Sequence, residues 1–396
     1  MATPAAESPV VEQRIMALRR TLEGVMGIPA TEGNTIDVLR NGDEIFPAML
    51  ASIAAARRTI DFLTFVYWKG EIGRKFAEAL SERAAAGVRV RVLLDGFGAL
   101  SIEEQLVDLM TDAGVDVQWF RRLGRMQPHK ANHRTHRKVL VVDEEVAFTG
   151  GVGIADEWQG DARDPSEWRD THFRLRGPAV DGLRAAFLNN WVEAEDALFD
   201  RAVDRFPDQP QPGSAVVQCV RGGSSTGWSD VSTLFRTLLA VAEQRVRITT
   251  AYFVPDERLS DQLCSAADRG VELDILIPGP HIDKRFVQLA GEASYERLLE
   301  HGVRLWRYQT SMLHAKVMTV DGVAANIGSA NLNARSAKLD EEINVVVLEP
   351  NLVGILDAHF DEDLDHSERV VPGAWEDRSL PQRALEMSAR LLRREM

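Results

Sequence analysis

Two stretches of the chain share one pattern, HRKVLVVD (His136–Asp143) and HAKVMTVD (His314–Asp321). Each reads histidine, any residue, lysine, four residues and aspartate, and they lie in opposite halves of the 396-residue chain. The apolar run between lysine and aspartate predicts a strand, on which side chains two residues apart point to the same face. Each histidine should therefore be presented together with its lysine.

The sequence before both stretches is also repeated. In the first half, an apolar strand, TIDFLTFVYW (Thr59–Trp68), is followed by a helical segment and then by GVRVRVLLDG (Gly87–Gly96). In the second half, RVRITTAYFVPD (Arg245–Asp256) and GVELDILIPG (Gly270–Gly279) take the same places. This alternation of apolar strands and helices predicts an α/β fold with parallel strands.

A proline-rich segment, FPDQPQPGS (Phe206–Ser214), separates the two copies and suits an exposed connection. The chain is long enough for two globular domains, each with its own core. We therefore predict an N-terminal extension (1–33), a first domain (34–205), a linker (206–214) and a second domain (215–396).

Composition narrows the possible functions. The net charge of −14 opposes non-specific binding to nucleic acid, so any phosphate-handling site must be local. Cys219 and Cys264 are too few for a disulfide framework or a thiolate zinc site. No apolar run approaches the ~18 residues of a membrane span, and the N-terminus lacks a signal-peptide pattern. We expect the chain to stay in the cytoplasm.

The paired histidines and lysines suit phosphoryl chemistry. A neutral imidazole can act as a nucleophile and a protonated one as a general acid, while lysine supplies positive charge to phosphate oxygens. Two such pairs can hold one phosphodiester. Because protonated lysine is a poor metal ligand, we expect no catalytic metal and no other cofactor.

Further polar residues accompany the two stretches. Asp143 and Asp321 have the opposite strand parity to the histidines and precede turns, so we interpret them as structural residues. Ser329 and Asn331, in the small-residue segment after the second stretch, are candidate hydrogen-bond donors to phosphate.

A carboxylate follows each stretch at a comparable distance, Asp170 in the first half and Glu342 in the second. Each is a candidate to orient the second ring nitrogen of the histidine in its own half. The predicted catalytic set is therefore His136, Lys138, His314, Lys316, Asp170 and Glu342.

These features resemble the phospholipase D superfamily and, within it, bacterial cardiolipin synthases. GSANLNARS (Gly328–Ser336) is among the residues that carry the likeness. The doubled His-x-Lys pattern alone indicates only the superfamily, whereas YFVPD (Tyr252–Asp256) and the C-terminal tail from Phe360 are typical of the synthases. The likeness covers nearly the whole chain. It implies two similar α/β/α sandwich domains related by a pseudo-twofold axis, with the active site at their interface.

The resemblance also implies a mechanism. One histidine attacks phosphorus to form a phosphohistidine, and the other protonates the leaving alcohol and later deprotonates the acceptor; by this resemblance, His136 is the nucleophile and His314 the acid/base. Such synthases join two phosphatidylglycerol molecules and release glycerol. Two alternatives stay open: a hydrolase acting on lipid or, less in keeping with the acidic charge, on nucleic acid, and an inactive lipid-binding scaffold.

The sequence departs from the family at Gly153, where an asparagine is frequent, and at Asn333, where an aspartate is frequent. The N-terminal membrane hairpin of many members is also not found, so we expect a peripheral attachment to an anionic surface at the inner face of the cell membrane. The C-terminal segment offers a candidate amphipathic helix. Its apolar and basic positions at helical spacing are Leu380, Ala384, Met387 and Leu391, and Arg383, Arg390 and Arg394.

Overall fold

The computed structural model describes residues 9–122, 132–195, 206–223, 230–292 and 294–371. A first helix, α1 (Pro9–Met26), precedes the repeated part of the chain. The first half then contains, in chain order, β1 (Thr31–Arg40), α2 (Asn41–Ala55), β2 (Thr59–Thr64), α3 (Glu71–Ala85), β3 (Arg89–Asp95), α4 (Glu104–Asp112), β4 (Asp116–Phe120), β5 (Val139–Val142), β6 (Val146–Gly150), β7 (Thr171–Arg176) and α5 (Ala179–Glu195).

The second half repeats this series with a few additional short elements. It contains β8 (Ala215–Gly222), α6 (Asp230–Val241), β9 (Arg245–Thr249), β10 (Phe253–Val254), α7 (Glu257–Asp268), β11 (Glu272–Pro278), α8 (Arg285–Glu292), α9 (Tyr295–Glu300), β12 (Arg304–Tyr308), β13 (Val317–Val320), β14 (Ala324–Gly328), β15 (Leu332–Asn333), α10 (Ala334–Lys338), β16 (Glu342–Leu348), α11 (Pro350–Asp365) and β17 (Ser367–Arg369).

Fifteen strands form one sheet that runs through both halves, in the order β17-β12-β11-β9-β13-β14-β16-β8-β1-β7-β6-β5-β2-β3-β4. Counted outward from the seam between β1 and β8, equivalent strands of the two halves follow one another in the same order. Only β17, at one edge, has no counterpart among the described strands of this sheet. These two central strands pair antiparallel, with Thr31 opposite Val217 and Asn34 opposite Ala215. The two halves are therefore related by a pseudo-twofold axis through the seam.

The predicted parallel pairing is correct only for the strands that helices connect. β2, β3 and β4 are parallel, as are β9, β11 and β12. By contrast, β5 and β13, which carry the repeated motifs, are antiparallel to both of their neighbours. A tight turn follows each of them, with positive φ at Asp143 and Glu144 and at Asp321 and Gly322. A connection of only three residues joins antiparallel strands, because parallel strands need a long crossover.

Helices cover both faces of the sheet. Each half has its own core on one face, formed with α2, α3 and α4 in the first half and with α6, α7 and α9 in the second. On the opposite face, α5 and α11 pack on a third core that joins the halves, where Phe173 of the first half clusters with Val217 and Ile343 of the second. The predicted fold class, two similar α/β/α domains, is confirmed.

The N-terminal segment belongs structurally to the second half. Leu18, Leu22 and Met26 of α1 share a buried core with Leu234 and Leu238 of α6. β1 begins at Thr31, three residues before the predicted start of the first domain, and β8 begins immediately after the predicted linker. We retain the division of the chain at 206–214 as a proposal.

Within the described ranges, no helix is both long and apolar enough to cross a membrane. The candidate amphipathic segment at the C-terminus, which includes Leu380 and Arg394, lies outside the described residues.

Candidate active site

Both histidines lie just before their strands, which begin at Val139 and Val317. The backbone N–H of each histidine forms a hydrogen bond with the other half of the molecule. The His136 amide donates to the Glu341 carbonyl at 2.8 Å, and the His314 amide donates to the Arg169 carbonyl at 2.7 Å. The two motifs therefore cross the seam between the halves and converge.

Each lysine side chain returns to its own histidine, as the strand spacing predicts. Lys138 Nζ donates to the His136 carbonyl at 2.8 Å. Lys316 Nζ lies against the His314 ring, 2.8 Å from Nδ1 and 3.1 Å from Nε2. Two buried ammonium groups thus accompany two imidazoles within one site.

The predicted pairing of each histidine with the carboxylate of its own half is wrong. His136 Nδ1 lies 3.0 Å and 3.1 Å from the two carboxylate oxygens of Glu342, and His314 Nδ1 lies 2.8 Å from Asp170 Oδ2. The pairs cross because the residue before each histidine forms a β-bridge with the residue before the carboxylate of the other half. These bridges join Thr135 to Glu341 and Leu313 to Arg169. Each half therefore completes the site of the other.

The crossed pairs fix the histidine tautomers. An ionised carboxylate only accepts hydrogen bonds, so Nδ1 of each ring carries the proton and donates it. Nε2 of His136 is left with its lone pair, which is the form that a nucleophilic imidazole requires.

Different donors hold the two carboxylates. Trp158 Nε1 donates to Asp170 Oδ2 at 2.9 Å, whereas the Ser329 hydroxyl donates to Glu342. Ser329 also accepts from the Ile343 amide at 3.1 Å. Its predicted role as a phosphate donor is therefore not what the structure shows, because this fully buried hydroxyl is engaged with the carboxylate.

Glycine takes the place of Ser329 in the first half. Gly151 precedes Gly153 as Ser329 precedes Asn331, and a Cβ at Gly151 would lie 2.2 Å from Asp170 Oδ1. The carboxylate of Asp170 thus approaches the backbone in the space that a serine side chain would need.

Burial controls the protonation of the histidines. It lowers the pKa of His136 to about 4, and the nearby ammonium of Lys138 adds to this effect. Burial together with the charge of Lys316 lowers the pKa of His314 to about 3. Both imidazoles are neutral at neutral pH when the site holds no anion.

The same burial acts on the other charged groups. It lowers the pKa of Lys138 to about 8 and that of Lys316 to about 7. Burial alone would raise the pKa of Glu342, but His136, Lys138 and the Ser329 hydroxyl outweigh it and lower this pKa to about 2. The pKa of Asp170 is likewise lowered, because the hydrogen bond from His314 and the charge of Lys316 outweigh its burial. A bound phosphodiester anion would raise the pKa of the histidines and lysines.

Aromatic rings enclose both histidines. Phe65 meets the His136 ring edge-on, with 5.3 Å between ring centroids, and the Lys138 ammonium lies 5.6 Å from the Phe65 centroid. His314 is surrounded by Trp158, Trp168 and Tyr252, at centroid distances of 5.2, 5.5 and 6.3 Å. The walls beside both imidazoles are therefore partly apolar.

A cavity of about 470 Å³ opens onto the site. Its wall includes His136, the amide side chain of Asn331 and the basic side chains of Arg134, Lys284 and Arg335. Asn331 Oδ1 is buried and has no hydrogen-bond partner among the described residues, so this amide is placed to contact a ligand. The volume suits a polar headgroup with one or two phosphates.

The two departures from the family pattern have different structural reasons. A Cβ at Gly153 would lie 2.6 Å from Cβ of Val66 and 3.3 Å from the Trp158 ring, so the place of an asparagine side chain is already filled. Asn333 instead caps α10, where its side chain accepts from the Ser336 amide at 2.9 Å. The two half-sites therefore offer different side chains to a phosphate group.

Asp143 and Asp321 lie at the far end of their strands from the histidines. The Asp143 carboxylate accepts backbone N–H bonds of 2.9, 2.7 and 2.9 Å from Arg57, Arg58 and Thr59. Asp321 does the same for the three residues that lead into β9, at 2.9, 2.7 and 2.8 Å. Each aspartate fixes the start of the neighbouring strand, away from the cavity.

Sequence reasoning missed two residues that support the site. Trp158 holds Asp170 and contacts the His314 ring. Arg134 binds Asp95 through both of its carboxylate oxygens and lines the cavity. They lie in two segments beside the first motif, NHRTHRK (Asn132–Lys138) and TGGVGIADEW (Thr149–Trp158), but the groups that they contact come from other parts of the chain.

The site belongs to the phospholipase D-like class. It contains two His-x-Lys motifs, and each histidine pairs with a carboxylate from the other half of the chain. A family model described as "Cardiolipin synthase, PLD-like domain" matches residues 49–157 and 235–364. The chain is 33% identical to cardiolipin synthase 1 of Bacillus cereus over 393 residues, which cover 96% of this chain and 76% of that protein. It is 34% identical to cardiolipin synthase A of Pseudomonas aeruginosa over 395 residues, 97% of this chain and 79% of that protein.

The fold has a solved counterpart as well. The crystal structure of phosphatidylserine synthase from Haemophilus influenzae matches with a TM-score of 0.72 at 15% sequence identity, over 96% of this chain and 100% of that chain. This likeness supports the fold alone. The chain belongs to the cardiolipin synthase family, and the resemblance seen in the sequence is confirmed.

Proposed function

We propose that the protein is a phosphatidyltransferase that forms cardiolipin from two phosphatidylglycerol molecules and releases glycerol. The observation that carries this proposal is the presence of two crossed histidine–carboxylate pairs beside one cavity, in a chain of the cardiolipin synthase family. His136 lines the cavity, and the His314 ring lies 6.3 Å from the ring of Tyr252, which also lines it. Two histidines with separate carboxylate partners provide one nucleophile and one acid/base, which an exchange of alcohols at phosphorus requires.

In the first half-reaction, Nε2 of His136 attacks phosphorus of the first phosphatidylglycerol. The bond from phosphorus to the glycerol headgroup oxygen breaks, and that oxygen takes a proton from His314. We assign His136 as the nucleophile because its side chain lines the cavity and its Nδ1–H is held by Glu342. His314 becomes protonated when the substrate anion and Asp170 together offset the charge of Lys316.

In the second half-reaction, His314 accepts the proton of a hydroxyl group on the second phosphatidylglycerol. The hydroxyl oxygen attacks phosphorus, the phosphorus–nitrogen bond to His136 breaks, and cardiolipin is released. The aromatic rings around both histidines favour the alcohol over water at this step, because a lipid headgroup can displace water from an apolar wall. This favours transfer over hydrolysis.

The remaining site residues act through charge and hydrogen bonds. Lys138 and Lys316 neutralise the phosphate oxygens, whose charge builds up in the transition state. Asn331 donates its amide hydrogens to the same phosphate, and Asp170 and Glu342 orient the two rings. Ser329 contributes indirectly, by holding Glu342.

We further propose that the protein acts as a peripheral protein at the inner face of the cell membrane. Its substrates in this proposal are membrane lipids, and no described helix has the length and apolar character of a membrane span. The acidic net charge disfavours nucleic acid as a substrate. Binding to an anionic lipid surface therefore has to rely on a local part of the molecule.

Single substitutions at the two histidines test the proposed chemistry. We expect His136→Ala and His314→Ala each to abolish formation of cardiolipin from phosphatidylglycerol vesicles, as followed by lipid mass spectrometry. The control is His301→Ala, which should keep the parent rate. His301 does not line the cavity, and its Nδ1 lies 2.8 Å from the Asp268 carboxylate. Parent-like rates in either active-site variant, with the fold intact by circular dichroism, would rule out this chemistry.

A further inference from the structure

The mouth of the cavity carries large apolar side chains that face solvent. Phe97 and Phe286 both line the cavity and are 57% and 52% exposed. Leu100, whose amide donates to the Phe97 carbonyl, is 58% exposed. Phe97 and Leu100 follow β3 in the first half, while Phe286 belongs to α8 in the second, so the apolar residues come from both halves.

Basic side chains stand beside these apolar groups. Lys284 and Arg285 directly precede Phe286 and are exposed. The Lys284 ammonium lies 5.2 Å from the ring centroid of Tyr252 and lines the cavity, as does Arg335. Arg335 is paired with Asp340 at 2.8 Å, and the exposed Asp283 precedes Lys284, so Lys284 and Arg285 leave a small positive charge here. This local charge is opposite in sign to the net charge of −14. An anionic surface is therefore attracted to this face while the protein as a whole repels it.

The size of the cavity indicates where the acyl chains of a substrate must stay. A volume of about 470 Å³ accommodates headgroups but not the chains of two lipids. Moving each methylene group of a chain out of a bilayer costs free energy, so the chains remain in the bilayer while the headgroup reaches His136. The mouth then has to lie at the bilayer surface.

We propose that the mouth of this cavity is the face by which the protein docks on an anionic lipid bilayer. Phe97, Leu100 and Phe286 insert between lipids at the interface, and Lys284 and Arg285 contact headgroup phosphates. This inference rests on the proposed function for the identity of the partner. It gives the attachment a specific place in the fold, distinct from the C-terminal segment.

The test measures binding without turnover. The full-length chain carries His136→Asn, which removes the nucleophile and retains a hydrogen-bond donor toward Glu342. Binding is measured by co-sedimentation with phosphatidylcholine vesicles that do or do not contain phosphatidylserine. A triple variant, Phe97→Ser, Leu100→Ser and Phe286→Ser, is compared with Ile355→Ser, which removes an exposed apolar side chain from α11.

We expect the triple variant to bind vesicles about ten-fold or more weakly than the His136→Asn parent, and Ile355→Ser to bind like that parent. Replacing Lys284 and Arg285 with glutamine should weaken binding about five-fold per residue, only on vesicles with phosphatidylserine and less so in high salt. Circular dichroism melts of all variants check that the fold is kept.

Three outcomes would overturn the inference. The first is that the parent does not sediment with either kind of vesicle. The second is that the folded triple variant binds like the Ile355→Ser control. The third is that replacing Arg383, Arg390 and Arg394 with glutamine abolishes binding while the mouth variants keep it. Because binding is measured in a chain without its nucleophile, a failure of cardiolipin formation in the unsubstituted protein would be a separate result.

Discussion

The crossed pairing of histidines and carboxylates predicts that the two carboxylates serve different chemical steps. Glu342 orients His136, the proposed nucleophile, and Asp170 orients His314, the proposed acid. We compare Glu342→Gln with Asp170→Asn on two substrates. One is phosphatidylglycerol, whose glycerol must be protonated as it leaves; the other is a p-nitrophenyl phosphodiester of the same lipid, whose phenolate leaves without a proton.

The expected magnitude follows from the burial of these groups. Both carboxylates are fully buried, and each is the partner that fixes the tautomer of its histidine. Loss of such a partner costs about 10²- to 10⁴-fold in kcat, or about 3–5 kcal/mol of transition-state stabilisation. We expect Glu342→Gln to show this loss on both substrates. Asp170→Asn should show it on phosphatidylglycerol. On the nitrophenyl ester it should recover most of the rate of the first half-reaction, measured as the burst of nitrophenolate, because only the second half-reaction then needs His314 as a base.

A surface pair provides the control for this experiment. Asp268→Asn changes a carboxylate that binds the His301 ring at 2.8 Å, and it should leave both rates unchanged. Equal losses for Asp170→Asn and Glu342→Gln on the nitrophenyl ester would refute the division of roles. The reverse pattern, with Glu342→Gln recovering on the nitrophenyl ester, would exchange the roles of the two histidines.

Three further predictions concern packing, pH and strand anchoring. Gly153→Asn should lower the free energy of unfolding by about 1–3 kcal/mol in urea titrations, because its Cβ would lie 2.6 Å from Val66 Cβ; an unchanged midpoint would contradict this packing. The KM for phosphatidylglycerol should rise above neutral pH as Lys316 and Lys138 lose their protons near pKa values of about 7 and about 8, because the neutral amines no longer attract the phosphate; a KM that stays constant well above these values would contradict a role for the charged lysines. Asp321→Ala should destabilise the fold by about 1–3 kcal/mol, since three backbone N–H groups lose their acceptor, and thermal unfolding at the parent temperature would argue against this anchoring role.

The sequence predicts most reliably the features that depend on the spacing of residues along a strand or on the repeat of strands and helices. The two-residue spacing on a strand correctly placed Lys138 beside His136 and Lys316 beside His314. The repeat of strands and helices correctly gave the fold class. These features depend on local backbone geometry and on the burial of apolar strands, which a sequence pattern expresses directly.

The pairing across the seam could not be read from the sequence. Distance along the chain favours Asp170 for His136, but the backbone bridges of the motifs to the opposite half decide the partners. The role of Ser329 depends on the same crossing, because its hydroxyl donates to Glu342, the carboxylate that pairs with His136 across the seam. The antiparallel direction of β5 and β13 follows from the tight turns at Asp143 and Asp321, whereas the alternation of strands and helices predicts parallel strands.

The most direct test of the proposed function is the product balance from phosphatidylglycerol vesicles. Lipid mass spectrometry quantifies cardiolipin and phosphatidic acid while an enzymatic assay measures free glycerol, with His136→Ala as the blank. We predict cardiolipin and glycerol in equal amounts, with little phosphatidic acid and no products from the blank. Phosphatidic acid and glycerol without cardiolipin would make the protein a hydrolase, and unchanged phosphatidylglycerol would contradict the proposed transfer.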